Sequence, residues 1–118
     1  MTIFEKIIAR ELPSTIVFED ADFIAFRDIN PRAPVHVLCV PKKVSSRLDE
    51  IIDPLELGAL MAASIRVARE QLGLTDYRLA VNLGAGAGQI VFHTHVHILG
   101  GWLDGDADAQ HDQMAARE

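Results

Sequence analysis

Only one stretch of this chain repeats apolar residues at helical spacing for long enough to make a long helix. Between Asp53 and Gly73, the residues Leu57, Leu60, Met61, Ser64, Ile65, Ala68 and Leu72 fall on one stripe. Asp53 is placed to act as N-cap, Pro54 fits the first helical position, and Glu56 stands where it would complete a capping box. Gly73 followed by Leu74 supplies a stop. One such helix can cover one face of a sheet, and the rest of the chain reads as the sheet.

Residues 15–19 and 22–28 are β-branched or aromatic runs parted by Asp20-Ala21, a hairpin signal. Asn30-Pro31-Arg32-Ala33-Pro34 reads as a loop, because two prolines remove two ladder donors. Val35 to Val40 follows as a strand closed by Pro41. Tyr77 to Asn82 and Ile90 to Leu99 are two more. Residues Phe4 to Glu11 read as a short helix with Phe4, Ile7 and Ile8 on one side, ended by Pro13-Ser14. Hairpins and short loops join the strands. The expected fold is therefore α+β, with a mainly antiparallel five-stranded sheet, one long helix and one short one. The second sheet face must then be solvated or covered by a partner, and a two-fold dimer is the commonest arrangement.

A length of 118 residues and a hydrophobic content of 49% fit one compact domain and argue against disorder. No apolar run approaches the roughly 20 residues that a membrane-spanning helix needs. The N-terminal residues lack the pattern of a signal peptide. Cys39, the single cysteine, lies in an apolar run and is expected to be a buried thiol. Together these features point to the cytoplasm. A net charge of −6 disfavours a nucleic-acid backbone binder but says little about a small phosphate ligand. The domain is placed at residues 1–103. Residues 104–118, opening with Asp104, Asp106 and Asp108, are read as an acidic solvated tail.

Three of the five histidines stand in the run Phe92-His93-Thr94-His95-Val96-His97-Ile98-Leu99. On a strand with a side-chain period of two, His93, His95 and His97 share one face. Thr94, Val96 and Ile98 suit the buried face, so the imidazoles are expected to line an accessible surface. Three uses compete. Each histidine could be an ordinary half-buried polar residue that finds a partner. The triplet could hold zinc, although the outer Cα atoms of such a strand lie about 13 Å apart; two strand histidines plus His36 would be an easier set. Or one neutral imidazole could attack phosphorus while a neighbour handles the proton.

Gly84, Gly86 and Gly88 alternate just ahead of this run. They match no nucleotide fingerprint, since a strand rather than a helix follows. The segment reads either as a flexible connection or as backbone donors brought close to an anion, with Asn82 and Gln89 adding amides.

The run from Gly88 to Gly101 resembles the signature of the histidine triad (HIT) superfamily, His-φ-His-φ-His-φ-φ with φ apolar. Gln89 before the triad and Gly100-Gly101 after it look like the branch of histidine triad nucleotide-binding proteins. Residues Ile3 to Ile8, Glu11-Leu12-Pro13, Ala25 to His36 and Val40 to Lys43 match that branch in order. The resemblance spans about residues 3–101. It implies a homodimer of α+β subunits that hydrolyses purine nucleoside 5′-phosphoramidates, and possible relatives such as aminoacyl adenylates, to the monophosphate and an amine. The implied mechanism requires no metal or cofactor, and charge and hydropathy lead to no expected nucleic-acid or membrane partner. By motif position His95 is the nucleophile, His97 serves the phosphate and leaving group, and His93 and His36 orient and relay protons. Asp28 would accept from the ribose with Ile29 alongside. Phe4, Ile7, Leu12 and Phe26 match the base pocket, and Asn82, Gly88 and Gln89 would face the phosphate. Ile90 stands where relatives often carry a polar residue, which implies slower chemistry, and the tail after Gly101 departs from the family ending. A non-catalytic nucleotide sensor or dimeric adaptor and a metal-dependent hydrolase are the alternatives.

Overall fold

The computed structural model describes residues 1–103. The acidic tail and His111, expected to be a plain tail residue, lie outside the described residues. Helix α1 (Ile3–Ile8) begins at Thr2, whose hydroxyl accepts from the Glu5 N–H while the Glu5 carboxylate accepts from the Thr2 N–H. This reciprocal box satisfies two otherwise orphaned donors. The helix ends three residues before the expected Glu11, and Arg10 takes a left-handed φ of 63°.

Strands β1 (Ile16–Glu19) and β2 (Phe23–Arg27) turn at Asp20, whose Oδ1 accepts from the N–H groups of Asp22 and Phe23. Strand β3 (Val35–Pro41) leads to α2 (Pro54–Arg66), which continues through a wider π turn at Val67–Gln71. Strands β4 (Tyr77–Ala80) and β5 (Val96–Gly100) complete one antiparallel sheet of order β1-β2-β3-β5-β4. The α+β architecture, with five strands, one long helix and one short helix, agrees with the expectation from sequence.

The two faces of the sheet follow from the alternation along β3 and β5. Val37, Cys39, Val96 and Ile98 point toward α2 and pack with Leu60, Ala63, Val67 and Ala68. Leu38 and Val40 point the other way, into a second cluster with Phe4, Ile7, Ile24 and Phe26. The second face is thus covered by this chain's own α1, where the sequence suggested solvent or a partner. Cys39 is buried, as expected, and burial pushes its thiol up to about 11.

Three further details differ from the sequence reading. Asp53 does cap α2, accepting from the Leu55 N–H, but Glu56 reaches Lys43 instead of closing a box. The buried stripe of α2 is rotated: Ala63 and Val67 face the sheet, while Met61 and Ile65 remain 37% and 38% exposed. Small Ala63 and Ala68 let the helix backbone approach the sheet there. Finally, β5 starts only at Val96, not Ile90. The pairing of β3 with β5 ends at Cys39 and Val96. Beyond it the Thr94 N–H donates to the Ser45 carbonyl at 2.8 Å, so the backbone there bonds a loop instead of a strand.

Candidate active site

Only His97 of the three histidines lies on a strand, yet all three converge. His93, His95 and His97 are 0%, 3% and 4% exposed, which corrects the expected accessible surface. Over His93 and His95 the cover is α1: the Phe4 ring stands edge-on to His95 with centroids 4.9 Å apart and lies 6.1 Å from His93. His36 joins the group because β3 and β5 are antiparallel neighbours. His36 pairs with Leu99 and His97 with Leu38, so the two imidazoles are diagonal neighbours on one face. His36 Nε2 lies 2.9 Å from His97 Nδ1.

The hydrogen bonds assign the ring protons. The Arg32 N–H, which can only donate, reaches His36 Nδ1 at 3.0 Å. Burial holds His36 below its ordinary pKa, against the opposing pull of Asp28. In the neutral ring, Nδ1 is therefore the acceptor and Nε2 carries the hydrogen. His36 Nε2–H donates to His97 Nδ1, leaving the His97 hydrogen on Nε2. Burial, reinforced by His95 and His36, pushes His97 down to about 3. His97 Nε2 is buried with no hydrogen-bond partner among the described residues. His95 Nδ1 donates to the His93 carbonyl at 2.6 Å. A carbonyl can only accept, so Nε2 is the His95 nitrogen that can present a lone pair. The rings of His95 and His97 lie 5.1 Å apart. His93 Nε2 donates to the Pro41 carbonyl at 2.8 Å. The arrangement sets a nucleophilic nitrogen beside a hydrogen-bond donor in a desolvated site.

Asp28 follows β2 and is 8% exposed. Its Oδ1 accepts from the Asn30 N–H, the turn-capping use that aspartate favours, while Oδ2 stands 3.4 Å from His36 Nε2. Its neighbour Ile29 is 86% exposed. Phe4, Ile7 and Phe26 share one buried cluster, with Phe4 and Phe26 in edge-to-face contact, whereas Leu12 lies outside it and is 38% exposed. The donor atoms of Asp28, His36 and His97 lie within 4.8 Å of one another, and among the described residues this trio is the set that could hold a metal ion.

The glycine segment is a closed turn. Gly84 and Gly88 have φ of 91° and 94°, values that glycine tolerates without strain. The N–H groups of Ala87, Gly88 and Gln89 all bond carbonyls within the segment. Gln89 is buried; its Oε1 accepts from the Gly84 N–H, and its Nε2 donates to the Ser46 and Val91 carbonyls. The Gln89 amide thus staples the loop, where the sequence suggested a donor to phosphate. Asn82 is half-buried just after β4, and Ile90 is 59% exposed. The Arg32 N–H and the carbonyls of Pro41 and Ser45 escaped the sequence reading. They are backbone groups, and no side-chain pattern marks them.

A buried, hydrogen-bonded cluster of four imidazoles on a five-stranded antiparallel sheet defines a class of histidine-based sites. A HIT domain model matches residues 9–102, and the chain belongs to the HIT family. It is 52% identical over 103 residues to an uncharacterized HIT-like protein of Synechocystis, covering 85% of this chain and 90% of that one. It is 42% identical over 106 residues to adenylylsulfatase HINT1 of Arabidopsis thaliana, covering 85% and 71% of the two chains. Among solved structures, a HIT family hydrolase from Clostridium thermocellum superposes with a TM-score of 0.80 at 48% identity, over 88% of this chain and 93% of that one.

Proposed function

We propose that the protein is a nucleotide hydrolase that cleaves purine nucleoside 5′-phosphoramidates through a covalent intermediate on His95. The observation that carries this reading is the pinned His95 ring, whose Nε2 is the nitrogen of that ring left to attack, beside the His36–His97 pair. His95 Nε2 attacks the α-phosphorus, the P–N bond breaks, and the amine leaves with a proton guided by His97. Water then opens the Nε2–P bond and yields the monophosphate. The one proton taken up in the first step is released in the second.

In this reading His36 orients His97, and His93 holds the loop through Pro41. Asp28 Oδ2, buried without a hydrogen-bond partner among the described residues, accepts from a ribose hydroxyl, with Ile29 at the mouth. Phe4, Ile7 and Phe26 form an apolar floor for the base, with Leu12 at its edge. Asn82 and Gly88 border the phosphate, and Gln89 acts by holding the loop. Kinship with a named hydrolase and a named adenylylsulfatase supports hydrolysis at a nucleotide phosphorus. Exposed Met61 and Ile65 on α2 support a homodimer through that helix, measurable by light scattering. No helix among the described residues is long and apolar enough to cross a membrane.

The Asp28, His36 and His97 cluster favours a second reading, a metal-dependent hydrolase. Imidazole and carboxylate are zinc ligands at about 2.0–2.2 Å, and an ion on these three donors would displace the hydrogen of His36 Nε2, so the Arg32 N–H would have to leave Nδ1. A single assay separates the readings: AMP release from an adenosine 5′-phosphoramidate in chelator, for wild type and His95→Ala. Release by wild type alone supports the nucleophile reading. Loss in chelator with return on zinc supports the metal. Intact AMP binding without release in either condition supports a nucleotide sensor.

A further inference from the structure

We propose that Ser45 and Thr94 are positioning residues for the His95 ring, acting through the peptide unit between His93 and Thr94. The kinetic part of this proposal rests on the phosphoramidase reading above; the geometric part does not. The carbonyl of His93 and the N–H of Thr94 belong to one planar trans peptide, so they point to opposite sides. On one side the N–H donates to the Ser45 carbonyl at 2.8 Å. On the other side the carbonyl accepts His95 Nδ1–H at 2.6 Å. Turning the peptide plane breaks both bonds at once. The Ser45 contact therefore aims the carbonyl that holds the His95 ring.

The sheet cannot do this job, because β5 begins two residues later, at Val96. Side chains reinforce the anchor. Thr94 Oγ1 donates to the Ser45 carbonyl at 3.1 Å and stands 2.8 Å from Ser45 Oγ. With the Thr94 hydroxyl donating to the carbonyl, the Ser45 hydroxyl donates to Thr94 Oγ1, and the pair is satisfied reciprocally. Thr94 is 1% exposed, so water does not compete for these bonds. A peptide whose N–H is bonded is also a stronger acceptor at its carbonyl. Positive charge grows on the His95 ring as Nε2 attacks phosphorus, and the Nδ1–H bond strengthens with it. The clamp thus favours the transition state over the bound substrate.

The test uses Thr94→Val, which keeps shape and main-chain N–H but loses the hydroxyl, with Thr94→Ser as rescue and Ser45→Ala as a second, half-buried probe. Ring ¹⁵N–¹H spectra of the substrate-free protein and steady-state kinetics on the adenosine phosphoramidate are read together. Thr94→Val should lower kcat about five- to tenfold, the worth of one buried hydrogen bond, with KM within twofold. Its His95 Nδ1–H signal should broaden or shift. Thr94→Ser should recover both, and Ser45→Ala should move both in the same direction as Thr94→Val. Turnover within twofold in Thr94→Val, equal loss in Thr94→Ser, or lost turnover with an unaltered His95 signal each overturns the proposal. If the wild type shows no turnover, the phosphoramidase reading fails, and the ring signal alone decides the clamp.

Discussion

His36 and His97, 61 residues apart in sequence, are joined by one hydrogen bond of 2.9 Å between Nε2 and Nδ1. The Arg32 N–H fixes the direction of that bond by occupying His36 Nδ1. Removing the donor should free the His97 ring to take the other tautomer. His36→Ala is expected to lower kcat by about a hundredfold, within the usual worth of a positioned proton-transfer group. His36→Gln, which keeps an N–H near the same place, should lose less. Equal kcat in wild type and His36→Ala would disprove the relay.

The same burial makes stability depend on pH. His97 is pushed down to about 3 in the fold, mainly by burial, and His36 is lowered by the same cause. In the unfolded chain both would take up protons near pH 6.5. Below that pH the unfolded state binds more protons, so stability is complete above about 6.5 and falls as pH drops toward about 3. His97 alone contributes a slope of up to about 1.4 kcal/mol per pH unit. Urea midpoints at pH 7 and pH 5 check this, and the slope should flatten in His97→Gln. An unchanged midpoint at pH 5 would contradict the neutral buried pair.

Gln89 offers a test of the loop. Its amide serves the Gly84 N–H and the carbonyls of Ser46 and Val91. Gln89→Ala orphans these groups and should destabilise the protein by about 2 kcal/mol. Gln89→Glu should cost more, because a carboxylate oxygen would face two carbonyl oxygens. Chemical denaturation measures both, and a Glu variant as stable as wild type would refute the staple.

Two glycines should respond in opposite directions. Gly101 has φ of 81°, and a Cβ there would stand 2.9 Å from Val35 Cγ2, so Gly101→Ala should destabilise by about 1–3 kcal/mol. Gly58 sits inside α2, and among the described residues no atom beyond its chain neighbours and the helix's own backbone lies within 4 Å of its Cβ position. Gly58→Ala should stabilise by about 1 kcal/mol and raise Tm by about 4 °C. Thermal melts of the two variants decide it.

The fold class and the family were legible in the sequence because both rest on local patterns. Apolar spacing through Leu60 and Ala68 marks α2, prolines 31 and 34 mark the loop before β3, and the alternation of His93, His95 and His97 marks the triad. The geometry of the site was not legible. A period of two predicts a continuous strand from Ile90, but the Thr94 N–H found the Ser45 carbonyl, and β5 began at Val96. Strand logic also left the histidine face open, and only the docking of α1 put Phe4 against His95. The sequence by itself determined which groups are present and, in outline, where the helices and strands lie. The tertiary structure alone decided their protonation, burial and aim, because those depend on backbone donors and acceptors that every residue carries and no residue type announces.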